Sequence, residues 1–325
     1  MIISKQKVFT GLIFLLLFTL AAIRPFSVGT DTLSYVKGYI NPVYSIQNRN
    51  AGYNAIVNAL RVISEDPRFF LIVISFFTQF YIFKSFYKFA KFPAFAALIY
   101  ALSFYCLSLN ILRQFLIISA FYYFGIDFIL DRKLIKYTIL VLLLFTIHEL
   151  SLVLFPLYFM STKLKPKLIY LAIWLVSLAF LVTSQLSGIS SLFEQLDSLL
   201  RGFMSNLPNY FSETETLTKE KASMNGVYFD EGIFLLIYYQ IFYSKKIQIT
   251  RVTIVLFNIY FVGVIFQNLF FQLDVIQRIA TTFLFASIYL LATLITNMRL
   301  KIVLVVLFAV LFYFRFVLNG LGGVF

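Results

Sequence analysis

The chain has 325 residues, of which 61% are hydrophobic and 13% charged, and its mean hydropathy is +0.90. A soluble domain carries about a quarter of its residues as charges, so a soluble enzyme is excluded and a membrane protein is required. Lys and Arg number 27 against 14 Asp and Glu, a net charge of +13; in a membrane protein that excess reports topology rather than nucleic acid, because basic residues gather in cytoplasmic loops. A single cysteine, Cys106, and a single histidine, His148, leave no disulfide framework and no Cys/His metal centre to build.

A bilayer core needs about 20 apolar residues per helical crossing, and about ten apolar stretches follow one another along the chain. The first, 8–23, comes after Lys5 and Lys7, which places the N-terminus in the cytoplasm. Ala21 and Ala22 at its end would also suit a signal peptidase, but a retained helix is the reading taken. Further runs lie at 69–83, 92–109, 111–130, 168–186, 232–243, 252–271, 279–295 and 302–318.

The stretch 137–160 differs from these because basic residues stand at both ends, Arg132, Lys133 and Lys136 before it and Lys163, Lys165 and Lys167 after it. A straight crossing would put one cluster outside and reverse every later loop. A broken hairpin with its tip near His148 and Glu149 keeps both ends on one side, and such backbone is tolerated where protein buries it or a wet cavity meets it.

The chain then reads as a single transmembrane domain, 1–325, with two long external segments at 24–68 and 187–230. The outward face holds eight arginines (Arg24, Arg49, Arg61, Arg68, Arg113, Arg201, Arg278, Arg315) and three lysines (Lys37, Lys219, Lys221). Arginine offers a planar fork of donors that matches phosphate oxygens and stays charged at any relevant pH, so an anionic ligand is expected there. Within the first segment, Tyr53, Ile56, Val57, Leu60 and Ile63 form one helical stripe, which predicts an interfacial helix behind Asn50. In the second, 192–203 repeats the pattern and 212–225 is polar.

After the first run come Arg24, Pro25, Gly29, Thr30, Asp31, Thr32 and Tyr35, a turned segment in which Asp31 can cap a helix begun at Thr32. Arg113 and Gln114 sit a few residues into an apolar helix, where an ionisable group needs a partner; snorkelling, a cross-helix pair or an anion would each serve. Arg278 has Asp274 four residues before it, so an ion pair competes with ligand binding. Arg315 is expected to snorkel. His148 at the hairpin tip is either a buried hydrogen-bonding residue or a proton acceptor, with Glu149 its partner or rival.

The order Arg24, Gly29-Thr30-Asp31-Thr32, Tyr35, then Asn110-x-x-Arg113-Gln114, then His148-x-x-Ser151 with Pro156, then Arg278 resembles the EpsG family of Wzy-like polysaccharide polymerases. The resemblance implies an all-α polytopic protein of ten or more membrane helices including the hairpin, with a glycosyltransferase-C-like arrangement, in the bacterial inner (cytoplasmic) membrane and with its active site facing outward. It implies O-antigen, capsule or exopolysaccharide synthesis, in which a growing glycan passes from undecaprenyl diphosphate to a sugar hydroxyl of an incoming lipid-linked unit. Partners would be undecaprenyl-diphosphate-linked glycans, the bilayer and a separate chain-length regulator, with no nucleic acid. No cofactor or metal is expected. Arg24, Arg113, Arg278 and, in the second rank, Arg201 would bind diphosphate, His148 or Asp31 would act as base, and Gly29, Thr30, Tyr35, Gln114 and Glu149 would support them. A transporter or flippase of lipid-linked sugars, or an O-antigen-ligase-like transferase, is the rival reading.

Overall fold

The computed structural model describes residues 2–29, 31–41, 50–186, 224–244, 247–271 and 274–318. Every element among them is helical: α1 (Ile2–Ile23), α2 (Thr32–Ile40), α3 (Ala51–Ile63), α4 (Pro67–Phe89), α5 (Pro93–Ser103), α6 (Tyr105–Asn110), α7 (Leu112–Ala120), a π-helical turn Phe121–Gly125, α8 (Ile126–Leu130), α9 (Leu134–Phe145), a 3-10 helix Glu149–Phe159, α10 (Lys167–Leu186), α11 (Met224–Phe242), α12 (Arg251–Leu269), α13 (Asp274–Leu284), α14 (Ala286–Leu294) and α15 (Met298–Phe312) with a π-helical end. Start signals are local. Pro67 and Pro93 open α4 and α5 with a preset φ, and Asp66, Thr250 and Asn297 accept backbone N–H groups at the starts of α4, α12 and α15.

Six helical stretches among the described residues are long and apolar enough to cross a bilayer, which corrects the expectation of ten or more. Hydropathy does not register breaks. The run 92–109 is two short helices, α5 and α6, parted at Phe104, and the run 137–160 does not continue in one direction. The run at 232–243 starts earlier than expected, since α11 begins at Met224 and carries Asp230 and Glu231 inside the helix; the external segment 187–230 is shorter at that end. The predicted helix at 192–203 lies outside the described residues.

The stretch 137–160 folds back on itself. The Tyr137 hydroxyl donates to the Leu154 carbonyl at 2.5 Å, the Tyr137 and Tyr158 rings stand 5.4 Å apart, and the Arg132 guanidinium reaches the Tyr158 and Met160 carbonyls at 3.0 and 3.2 Å. Both ends of the stretch therefore lie together. Twelve residues of α9 rise about 18 Å, little more than half a bilayer core, and the chain then turns at Thr146 to His148 into an eleven-residue 3-10 limb that contains Pro156.

The main core is aromatic. Phe86, Tyr100, Phe115, Tyr122, Phe285 and Tyr289 are fully buried and their rings touch in a chain across α4, α5, α7, the π-helical turn and α14. Their hydroxyls are matched inside the protein, Tyr289 with Ser85 at 2.6 Å, Tyr122 with the Thr282 carbonyl at 2.9 Å and Tyr100 with Ser108 at 3.1 Å. A second cluster of Tyr35, Val36, Tyr39, Tyr53, Val57, Phe70, Leu71, Ile74 and Leu112 packs α2 and α3 onto the first turns of α4 and α7. The expected stripe of α3 thus faces protein at Tyr53, Ile56, Val57 and Leu60, while Ile63 is 71% exposed.

The two ends of the bundle carry different cations. Lys88 pairs with Asp127, Lys301 stands over the Phe92 ring, and Arg132 closes the hairpin at one end. At the other, Arg68 donates to the Arg24 carbonyl, Arg24 to the Leu109 carbonyl, and Asn110 receives the Asp31 N–H. With Cys106→Ala as background, Lys133→Cys and Lys163→Cys should each react with an impermeant maleimide from the same side of sealed vesicles. Labelling from opposite sides would mean a single crossing.

Candidate functional site

The turn after α1 is built around Asn110. Gly29 takes φ +88°, and a Cβ there would lie 3.0 Å from Thr32 Oγ1 and 3.2 Å from Asn110 Oδ1, so both conformation and space require glycine. The Asp31 N–H donates to Asn110 Oδ1 at 2.9 Å, and Thr32 Oγ1 donates to the Val28 carbonyl at 2.8 Å. Asp31 therefore does not cap α2 with its side chain as the sequence predicts; its φ of −79° and ψ of −17° are already helical, and its carboxylate receives no cap hydrogen bond. Thr30 lies outside the described residues.

Arg24 is part of the frame. It is 4% exposed, its Nη1 donates to the Ala21 carbonyl at 2.7 Å and to Ser75 Oγ at 3.4 Å, and its Nη2 donates to the Leu109 carbonyl at 3.3 Å. Burial lowers its pKa to about 10, which leaves it charged at neutral pH. Arg68 joins this knot through the Arg24 carbonyl and lies 4.3 Å over the Phe26 ring. The Arg24 guanidinium thus ties α1 to α4 and α6.

Arg113, three residues beyond Asn110, is differently placed. It is half-buried, and its Cζ lies 5.2 Å over the Tyr53 ring, which has the buried Tyr35 ring 6.2 Å away. Tyr53 belongs to the first turn of α3, and this turn holds the hairpin tip: the Gly52 and Tyr53 N–H groups both donate to the Thr146 carbonyl, at 2.8 and 3.1 Å, and Asn50 Nδ2 donates to the Phe145 carbonyl at 2.9 Å. A Cβ on Gly52 would fall 2.7 Å from Thr146 Cβ. Gln114, next to Arg113, donates to the Arg278 carbonyl and, at 3.1 Å, to Thr282 Oγ1, so α7 grips the turn of α13 that bears Arg278.

His148 follows the tip. Its Nδ1 accepts the Leu150 N–H at 3.2 Å, and the two cations that act on it electrostatically are Arg113 and Arg278. Glu149 begins the 3-10 limb beside it and is half-exposed. The structure thus brings together Arg113, Gln114, His148 and Arg278, with Tyr35 and Tyr53 as support, and links Gly29 and Asp31 to them through Asn110. It leaves Arg24 in the frame. Arg201 lies outside the described residues, as does the side chain of Asp274, so the proposed ion pair with Arg278 is not described.

A family model for the EpsG family matches residues 7–323. The chain belongs to the EpsG family. Neither a curated protein sequence nor a solved structure matches it. Membership assigns this EpsG-family chain to membrane-bound polysaccharide biosynthesis, and the family is associated with polysaccharide polymerase or glycosyltransferase activity.

Tyr53, Gly52 and Thr282 are site-building residues of this EpsG-family protein that sequence reasoning missed. Tyr53 read as one position of an apolar stripe; the available signal was the glycine before it in the first turn of a helix, where a close backbone approach is needed. Gly52→Ala should push the tip off its anchor and lower the midpoint of thermal unfolding in detergent, by an amount equivalent to ~1–3 kcal/mol. Arg24→Ala should reduce the amount of folded protein in the membrane, at a cost of about 1–3 kcal/mol for each buried acceptor left without its donor, as read by fluorescence-detected size exclusion.

Proposed function

We propose that this protein is a polysaccharide polymerase that transfers a growing glycan from undecaprenyl diphosphate to a sugar hydroxyl of an incoming lipid-linked repeat unit. The observation that carries this reading is the seating of Arg113 over Tyr53, the residue whose N–H holds the tip of the hairpin that bears His148, beside a turn bearing Arg278 that Gln114 grips. The positive-inside rule sets the lysine-bearing end in the cytoplasm, so that site faces outward from a bacterial inner membrane.

In the reaction the acceptor hydroxyl oxygen bonds to the anomeric carbon, the bond from that carbon to the diphosphate oxygen breaks, and the electron pair stays on the diphosphate. Negative charge grows on the leaving group, where fixed guanidinium groups stabilise the transition state more than the ground state. Arg113 and Arg278 supply that charge, Arg113 from a fixed ring support and Arg278 from a turn clamped by Gln114. They take the part a divalent cation plays in other phosphate chemistry, so the proposed reaction needs no metal.

The hydrogen-bond pattern supports different roles for the two proton-handling candidates. The Leu150 N–H is directed at His148 Nδ1, so the neutral ring carries its proton on Nε2 and serves as a donor to a phosphate oxygen. The acceptor's proton then goes to Asp31, whose carboxylate is not engaged in capping α2. Gly29 and Tyr35 hold this turn and its support in place.

Purified protein in vesicles, given a lipid-diphosphate-linked oligosaccharide with EDTA present, should yield a ladder of longer lipid-linked glycans. Arg113→Ala should abolish the ladder with unchanged membrane levels, and Arg113→Lys should recover little of it because the planar fork is lost. Substrate that is bound or moved across the membrane without elongation would instead make the protein a transporter and the arginines a docking site.

A further inference from the structure

A second polar centre lies among α10, α11 and α12, apart from the arginine site. Trp174 Nε1 donates to Glu231 Oε2, Gln267 Nε2 donates to Asp230 Oδ2 at 3.0 Å, and Asn268 Nδ2 donates to Ser177 Oγ at 3.1 Å. The Ser177 hydroxyl hydrogen is committed to the Trp174 carbonyl at 2.8 Å, which fixes the Asn268 amide with its nitrogen toward Ser177. Glu231, Gln267 and Asn268 are 6%, 5% and 1% exposed. Gln267 Oε1 and Asn268 Oδ1 nevertheless keep no donor, and Glu231 Oε1, with the Asn268 amide beside it, receives no hydrogen bond of good geometry. Buried acceptors without partners are costly and call for an explanation.

Charge is unbalanced in the same place. Two carboxylates stand side by side on α11, and among the described residues the cation that acts on them is Arg315, which acts on Asp230. The Arg315 guanidinium lies so close to α11 that a Cβ on Gly226 would collide with it. With both carboxyls ionised, one negative charge is left over on a helix pair in an apolar bundle, where an unpaired charge is costly.

We infer that this centre binds one monovalent metal cation of the Na⁺ type through the side-chain oxygens of Glu231, Gln267 and Asn268. Oxygen-only donors with carboxylate and amide carbonyls suit a hard cation rather than a transition metal. One bound cation balances the leftover charge and gives all three oxygens a partner. A proton on Glu231 balances the charge too, but as a single donor it satisfies one amide oxygen and leaves the other bare. The site also touches the arginine centre: Gln277 Nε2 donates to the Gln267 carbonyl at 3.1 Å, and Gln277 directly precedes Arg278. The inference stands on this cluster alone and does not rest on the polymerase reading.

The chain holds one tryptophan, and its indole N–H is the donor to Glu231, so the site carries its own reporter. Full-length protein in detergent is titrated with NaCl against choline chloride at constant ionic strength and pH. The expected result is a saturable change in Trp174 emission specific to Na⁺, with the unfolding equilibrium shifted about eleven-fold toward the folded protein at ten times the Kd. Glu231→Gln and Gln267→Met should each lose the Na⁺ response while still unfolding cooperatively. A flat titration, a response that survives in both variants, or emission that follows pH and ignores Na⁺ would overturn the inference; the last would assign the site to a proton.

Discussion

One carbonyl oxygen organises the arginine site. Thr146 O, at the tip of a hairpin that stops part-way through the bundle, receives the Gly52 and Tyr53 N–H groups from the first turn of α3. Backbone that leaves helical geometry inside a bilayer must find partners in the protein, and the first N–H groups of a helix need acceptors of their own. Each end here supplies what the other lacks. Because Tyr53 is also the ring beneath Arg113, the same turn sets the height of the tip and the position of the guanidinium. His148 and Arg113 are thereby placed by one joint, although they come from separate stretches of chain.

The arginines are built into the structure in different ways. Arg24 and Arg68 meet main-chain carbonyls and hold α1, α4 and α6 together. Arg113 lies over the face of a ring, and the backbone of Arg278 is gripped by the Gln114 amide. An arginine that braces a frame and one proposed to meet a ligand look alike in sequence, since both sit at the end of an apolar run. What marks Arg24 as a brace is its distant partners, the Ser75 hydroxyl 51 positions away and the Leu109 carbonyl 85 positions away.

Features that depend on local pattern were legible in the sequence. Basic residues on both sides of 137–160 foretold the hairpin, the spacing of Tyr53, Ile56, Val57 and Leu60 foretold α3, and the order of Gly29, Asp31 and Asn110 marked residues that prove to be in contact. The number of crossings was not legible, because Phe104 and the tip at Thr146 to His148 break helices without interrupting the hydropathy. The reach of α11 was missed for a related reason. Asp230 and Glu231 read as the edge of a loop, yet both lie within the helix, where Gln267 and Trp174, 37 and 57 residues away, meet their charge. A charge in an apolar run marks a boundary only when no distant partner exists.

The limb that follows the tip is a 3-10 helix of eleven residues with a proline inside it, far longer than the three or four residues such helices usually reach, and its hydrogen bonds have poorer geometry than those of an α-helix. The limb's own hydrogen bonds are therefore the weaker set, and the position of His148 depends more on the anchor that Gly52 and Tyr53 give the tip than on the limb that leads away from it.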